Sequence, residues 1–209
     1  MYIGGFWTKE GAYVEIVLAS SSPRRRELLA HLKVDFRVRT SEVSEEIEGL
    51  IEPSEVVEIL SLRKAAKVAE EEKNAWIIGA DTIVVQGGKI LGKPSNPADA
   101  FEMLSSLQGT WHQVFSGISL IEVRDGEVKR RLSRHAITDV WMNSLSDQRM
   151  NWYIETGEPM DKAGSYGIQG YGASFIEKIE GCYFNVVGMS LSLLAEMLET
   201  CSCPLYEKS

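Results

Sequence analysis

A chain of 209 residues is long enough for one sizeable α/β domain or two small lobes sharing a core, and its 44% apolar and 25% charged content excludes disorder over most of its length. Its 30 acidic and 22 basic side chains leave a formal net charge of -8, which excludes an extended nucleic-acid footprint, so any anionic ligand must be held by a local positive site. Cys182, Cys201 and Cys203 lack metal-ligand spacing, and no run approaches the roughly 18 apolar residues of a membrane span; a soluble, unexported, cytoplasmic protein with reduced thiols is expected.

Residues 1–11 hold three glycines and no periodicity, so residues 1–14 are expected to be an extension ahead of the fold. Glu15-Ile-Val-Leu-Ala19 reads as a short apolar strand. Ser20-Ser-Ser22 then leads to Pro23, which suits the first position of a helix behind a Ser22 N-cap, with Leu28, Leu29 and Leu32 inward. The first turn of that helix carries Arg24, Arg25 and Arg26, each unfavourable by about 0.3–1 kcal/mol at the positive end of the dipole unless an anion sits there. A strand, a hydroxyl-rich turn and a basic helix N-terminus make a candidate phosphate site; the alternative is a solvated arginine cluster.

Residues 34–40 read as a second strand, and residues 41–47 as an acidic connection. That run is a solvated loop on its own, and a source of one metal carboxylate if it lies beside a phosphate site. A helix is expected over residues 53–72, with Val57, Leu60, Lys64 and Val68 on one stripe. A lysine there either snorkels to water or points into a polar cleft.

Residues 76–85 form an apolar run rich in β-branched side chains, a strand covered on both faces, interrupted by Asp81. A carboxylate in such a run costs several kcal/mol unless a cation, a metal or hydrogen-bond donors meet it, whether its part is structural or chemical. Gly87-Gly88 signals a hairpin, and pairing of Gln86 with Lys89 would bring Lys93 opposite Thr82, beside Asp81. Residues 87–93 also follow the opening of a P-loop, but Pro94 stands where that motif needs Ser or Thr.

Asn96-Pro97 begins a helix with Phe101, Leu104 and Leu107 inward, Asp125-Gly126 joins strands 112–124 and 127–142, and Ser146 caps a helix stapled by Leu145 and Met150. Residues 157–172 are a glycine-dense loop with a charged pair, Asp161-Lys162, and Gln169, whose amide offers both a donor and an acceptor to a base edge. Taken alone, the loop is a turn-rich connector. Residues 175–179 and 183–187 read as a strand pair, 190–199 as a closing helix, and the residues from Thr200 as a frayed tail.

Four segments, in order, make the chain resemble the Maf family, septum formation proteins that are nucleoside triphosphate pyrophosphatases. They are Ala19-Ser-Ser-Ser-Pro-Arg-Arg25, Gly79-Ala-Asp-Thr82, Leu91-Gly-Lys-Pro94 and Glu158-Pro-Met-Asp-Lys-Ala-Gly-Ser-Tyr-Gly-Ile-Gln-Gly170. The Asp-Lys-Ala-Gly and Ile-Gln-Gly portions are similar to the subgroup acting on dTTP and UTP. The resemblance implies an α/β fold of the ITPase-like, Maf/Ham type: a mixed, elongated, twisted sheet flanked by helices, with a central cleft between two lobes. It also implies one domain over residues 15–199 with a tail at 200–209, commonly a homodimer.

The implied reaction is hydrolysis between the α and β phosphates, giving a monophosphate and pyrophosphate. Asp81 matches the family's proposed proton acceptor. Arg24, Thr82 and Gln169 match positions associated with base preference, and Glu45, Lys64, Lys93, Asp161 and Lys162 match cleft residues. Ser44 departs from the acidic residue of many relatives. In this setting the Ser20 to Ser22 turn, Arg25 and the cleft lysines would neutralise a triphosphate, with Mg²⁺ or Mn²⁺ held by Glu45 and Asp81; Asp81 serves as base or as metal ligand, both of which need a carboxylate beside the water. Competing readings are a nucleotide-binding regulator of cell division without turnover, and a pyrophosphatase for purine or 7-methyl-GTP nucleotides.

Overall fold

A computed structural model describes residues 6–7, 13–40, 42–47, 49 and 51–203. Eight strands form among them: β1 (Phe6–Trp7), β2 (Tyr13–Ala19), β3 (Arg37–Arg39), β4 (Ala75–Gln86), β5 (Lys89–Leu91), β6 (Trp111–Arg124), β7 (Glu127–Met142) and β8 (Ile176–Glu180). The helices are α1 (Pro23–His31), α2 (Pro53–Ala69), α3 (Pro97–Leu107), α4 (Asp147–Glu155), α5 (Tyr183–Val187) and α6 (Leu191–Thr200). Hydrogen bonding joins the strands in the order β1-β2-β4-β6-β7-β8, with β3 on β2 and β5 on β4. β2 pairs in parallel with β3 and β4, whereas β1–β2, β4–β5 and β7–β8 are antiparallel, which makes a mixed α/β sheet. The chain divides into two compact units, residues 1–81, 116–135 and 188–209 forming unit 1 and residues 82–115 and 136–187 unit 2.

Unit 1 is built on β2 and the first part of β4, both buried, with α1 and α6 contributing apolar faces. Leu28 and Leu29 are buried on α1, and Leu191, Leu194, Met197 and Leu198 on α6. Each such side chain contributes roughly 1.5–3 kcal/mol on burial. α2 lies unusually close to the sheet because glycines face it. A Cβ on Gly79 of β4 would sit 2.2 Å from the Ser61 carbonyl oxygen, and one on Gly117 of β6 would sit 2.1 Å from that of Val57. These two positions are where a missing side chain sets the packing distance.

Two expectations fail in unit 1. The N-terminal extension contributes β1, whose Phe6 pairs with Val14 and Trp7 with Tyr13, so β2 begins two residues before Glu15. At the other end, residues 200–203 are not a frayed tail. The α6 helix runs through Thr200, Cys201 and Cys203 are buried, Arg130 donates to the Cys201 carbonyl at 2.7 Å, and the Cys203 amide donates to the Leu198 carbonyl at 2.8 Å. Burial pushes the Cys203 thiol up to about 12, as suits a sulfur acting as a small hydrophobe.

Unit 2 has its own core, in which Leu104 and Leu107 of α3 meet Val140 and Met142 of β7, Tyr153 of α4 and Phe175. Leu145 and Met150 are both buried around the Ser146 cap, as expected for the staple. Residues 157–175 contain three short 3-10 turns, Glu158–Asp161, Ala163–Ser165 and Gly170–Phe175. The expected pairing of residues 175–179 with 183–187 does not form. β8 pairs with β7 instead, and residues 183–187 are helix α5. The Asn185 side chain explains the change: fully buried, it donates to the Val114 carbonyl and the Thr138 hydroxyl, both at 3.0 Å. A one-turn helix from the Cys182 carbonyl presents it there.

Candidate active site

Asp81 is 7% exposed in the middle of β4. Gly79, two residues earlier, shares its face, and α2 crosses that glycine so closely that a Cβ there would lie 2.9 Å from Ala65. The preceding residue on α2 is Lys64. Its ammonium is 2.5 Å from Asp81 Oδ1 and 2.7 Å from Glu45 Oε1, so one cation is shared by two carboxylates. The desolvated carboxylate thereby meets the opposite charge that its burial demands. Arg63, one position back on α2, donates to the carbonyls of Ser44 at 3.2 Å and Glu46 at 2.7 Å and so fixes the loop that presents Glu45.

The Ser20–Arg25 turn forms as expected. Ser22 is the N-cap of α1 and accepts from the Arg25 amide at 3.4 Å, with Pro23 at the first helical position. Ser20, 6% exposed, accepts from the Ser22 amide at 3.2 Å and from Arg25 Nη1 at 3.5 Å. Arg25 Nε also donates to the Gly188 carbonyl at 3.0 Å. Burial lowers the Arg25 pKa below its ordinary value; Asp81 opposes that shift, Arg24 adds to it and Glu45 opposes it, which puts all three within electrostatic reach of the guanidinium. Unit 1 thus gathers Ser20, Ser22, Arg24, Arg25, Glu45, Lys64 and Asp81.

Glu45 and Asp81 offer hard carboxylate oxygens to a single positive group, a donor set that fits Mg²⁺ or Mn²⁺, which take one or two carboxylates together with phosphate oxygens and waters. Among the described residues no group of three or more His, Cys, Asp or Glu side chains could hold a metal.

The other expected residues lie in unit 2. Thr82 follows Asp81 on β4 and so points to the opposite face. Gln86 pairs with Lys89 as read from the sequence, but the ladder ends at Val84 and Leu91, so Lys93 is not held opposite Thr82. The Gly92 carbonyl instead accepts from the Gly164 amide at 3.0 Å, which leads the backbone out of the ladder and leaves Lys93 exposed. Asp161 and Lys162 form an ion pair of 2.7 Å, and Lys162 also donates to the Glu158 carbonyl at 2.5 Å. Gln169 is exposed at the start of the last 3-10 turn.

Glu158 carries a role that residue-type reasoning does not reveal. Its carboxylate accepts from the Tyr153 hydroxyl at 2.9 Å, the Tyr171 amide at 2.9 Å and the Gly172 amide at 3.1 Å, and so orders the turn that follows Gln169. Its position four residues before Lys162 in a glycine-rich loop was the available signal, since such a loop needs an acceptor for its amides. Nearby, His112 Nε2 and the Tyr166 hydroxyl are bonded at 2.7 Å within the core of unit 2.

A family model described as Maf-like protein matches residues 15–201. A protein of Pelotomaculum thermopropionicum named dTTP/UTP pyrophosphatase is 49% identical over 185 residues, covering 88% of this chain and 95% of the relative. One of the same name from Desulforamulus reducens is 48% identical over 183 residues, covering 88% and 94%. The Ham1 protein of Staphylococcus aureus shares the fold, with a TM-score of 0.50 at 15% identity over 89% of this chain and 98% of that one.

Proposed function

This chain belongs to the Maf-like protein family, and from that premise we propose that it hydrolyses nucleoside triphosphates between the α and β phosphates, releasing a monophosphate and pyrophosphate, with dTTP and UTP preferred. The observation that carries the reading is the sharing of one unit by the buried Asp81–Lys64–Glu45 cluster and the cationic Ser20–Arg25 turn. Hydrolysis of an anhydride needs a proton acceptor for water and a way to neutralise leaving-group charge. The cluster supplies the first, and the turn with Lys64 supplies the second.

In this mechanism the amides at the start of α1, the Ser20 and Ser22 hydroxyls and Arg25 bind phosphate oxygens. Asp81 orients a water for in-line attack on the α phosphorus and accepts its proton. Lys64 and Arg25 neutralise charge on the departing pyrophosphate. A divalent ion, when bound at Glu45 and Asp81, would polarise phosphoryl oxygens and add positive charge. Arg24, Thr82 and Gln169 are assigned to base preference, Lys93 to catalysis with Asp81 and Lys64, and Asp161 and Lys162 to substrate binding; support for these assignments is the family's pattern of residues.

The test is pyrophosphate release from dTTP, UTP, CTP, GTP and 7-methyl-GTP with Mg²⁺, Mn²⁺ or chelator. Metal-dependent release favouring dTTP and UTP is expected. Binding of these nucleotides with no release under any metal would overturn the reading in favour of a regulator.

A further inference from the structure

Lys64 stands where an ion shared by Glu45 and Asp81 would have to sit, its ammonium 2.7 Å and 2.5 Å from their respective oxygens. The lysine is held there. Its side chain is 14% exposed, its helix is seated on Gly79, and its neighbour Arg63 clamps the carbonyls on both sides of Glu45. Arg25 lies within electrostatic reach of both carboxylates. A divalent cation arriving alone would meet two carboxylates whose charge Lys64 and Arg25 already offset. A triphosphate reverses that balance, because its roughly four negative charges attract the lysine, the arginine and the metal alike.

We infer, resting on the hydrolase reading above, that Lys64 is a counter-ion that excludes a free divalent cation from the Glu45–Asp81 pair, so that the site takes the preformed metal–triphosphate complex as its substrate. When the complex arrives, the ammonium exchanges its carboxylate partners for phosphate oxygens, and no covalent bond changes. Lys64 therefore has two successive partners. In the free protein it holds the two carboxylates together and offsets one of their two charges; in the complex it binds the polyphosphate whose arrival released it. This selection follows from one side chain and needs no moving lid.

The test is Mn²⁺ binding to the full chain, followed by electron paramagnetic resonance, with folding of each protein checked by its thermal melt. Without nucleotide, Lys64→Met is expected to bind Mn²⁺ at least tenfold more tightly than the wild type, and adding Glu45→Gln is expected to remove the gain. An uncleavable α,β-methylene analogue of dUTP should raise the wild-type Mn²⁺ affinity at least tenfold and the Lys64→Met affinity by much less. Lys64→Gln serves in the same comparison if the methionine variant does not fold. Equal Mn²⁺ affinity in the wild type and a folded Lys64 variant would overturn the inference, as would tight single-site binding by the wild type alone. Pyrophosphate release by the wild type is scored separately: its absence with every metal removes the hydrolase reading, whereas unchanged Mn²⁺ affinity in an active enzyme removes only the counter-ion role.

Discussion

Asp81 in unit 1, buried, and Glu158 in unit 2, half-buried, are both carboxylates with several partners, yet those partners differ in kind. Asp81 meets the charged end of another side chain, Lys64, which it shares with Glu45. Glu158 meets mainly neutral groups fixed in the fold, two backbone amides and the Tyr153 hydroxyl. Burial pushes the Glu158 carboxyl up, but the Tyr171 and Gly172 amides, the Tyr153 hydroxyl and Lys162 together hold it below the usual carboxylate range. An ion pair between side chains can exchange one partner for a ligand by rotating a few bonds. An amide cradle cannot do so without undoing a turn. Unit 1 therefore suits changes of charge during a reaction, and unit 2 suits the holding of a fixed shape.

The strongest way to break this contrast is Asp81→Asn. It should lower turnover by about 10²–10⁴-fold, the usual range for losing a general base, while nucleotide still raises the melting temperature. Retention of more than about a tenth of the wild-type rate in a pyrophosphate-release assay would remove Asp81 from the chemistry.

Unit 2 also keeps an ionisable group neutral in its core, and this gives a pH signature. Burial pushes the His112 pKa down to about 4. An unfolded histidine titrates near 6.5, so on acidification the unfolded chain takes up the proton first. The contribution to stability is complete above about pH 6.5 and declines as pH falls towards 4, by up to about 3 kcal/mol. Denaturant unfolding between pH 7.5 and 4.5 should therefore be less pH-dependent in His112→Gln, and equal slopes would show that the imidazole is not held neutral.

Smaller effects should follow from Glu158→Ala, which strips the acceptor from two amides and a hydroxyl. A loss of about 2 kcal/mol is expected, with faster hydrogen exchange at Tyr171 and Gly172. Asp161→Ala, which removes a pair at an exposed carboxylate, should change stability by less than about 0.5 kcal/mol. Comparable losses in the two variants would erase the distinction between cradle and surface pair. In specificity rather than stability, Gln169→Ala is expected to reduce the preference for dTTP over GTP about tenfold, or about 1.4 kcal/mol, with less effect on triphosphate affinity. An unchanged substrate ranking would separate this residue from base choice.

What the sequence made legible was local. Gly87-Gly88 and Asp125-Gly126 mark hairpins because both residues of each pair adopt positive φ, a requirement visible in the residue types themselves. Ser22, Asn96 and Ser146 announce helix starts for an equally local reason, a side-chain oxygen in reach of an amide three residues on. Lys64 was legible as a charge on an apolar stripe. What stayed hidden depends on contacts distant in sequence. Tyr183 to Val187 has the composition of a strand, and only the partners of Asn185 more than 40 residues away make it a helix. Likewise the hairpin keeps the expected register only as far as Leu91, beyond which Gly164, far along the chain, takes the carbonyl beside Lys93.

The assignment of chain segments to units has a temporal meaning. Unit 2 comprises residues 82–115 and 136–187, whereas unit 1 also requires the segment from Gly188 onward, including α6 and the Gly188 carbonyl that receives Arg25. On a ribosome adding about 5–20 residues per second, β2, α1 and α2 are therefore made early but remain without their last packing partner for most of synthesis. The candidate cluster is completed last, although all of its residues are made first. A nascent chain released before residue 188 would carry Lys64 and Asp81 but lack the carbonyl that steadies Arg25, and so should fold one unit and expose the other to proteolysis.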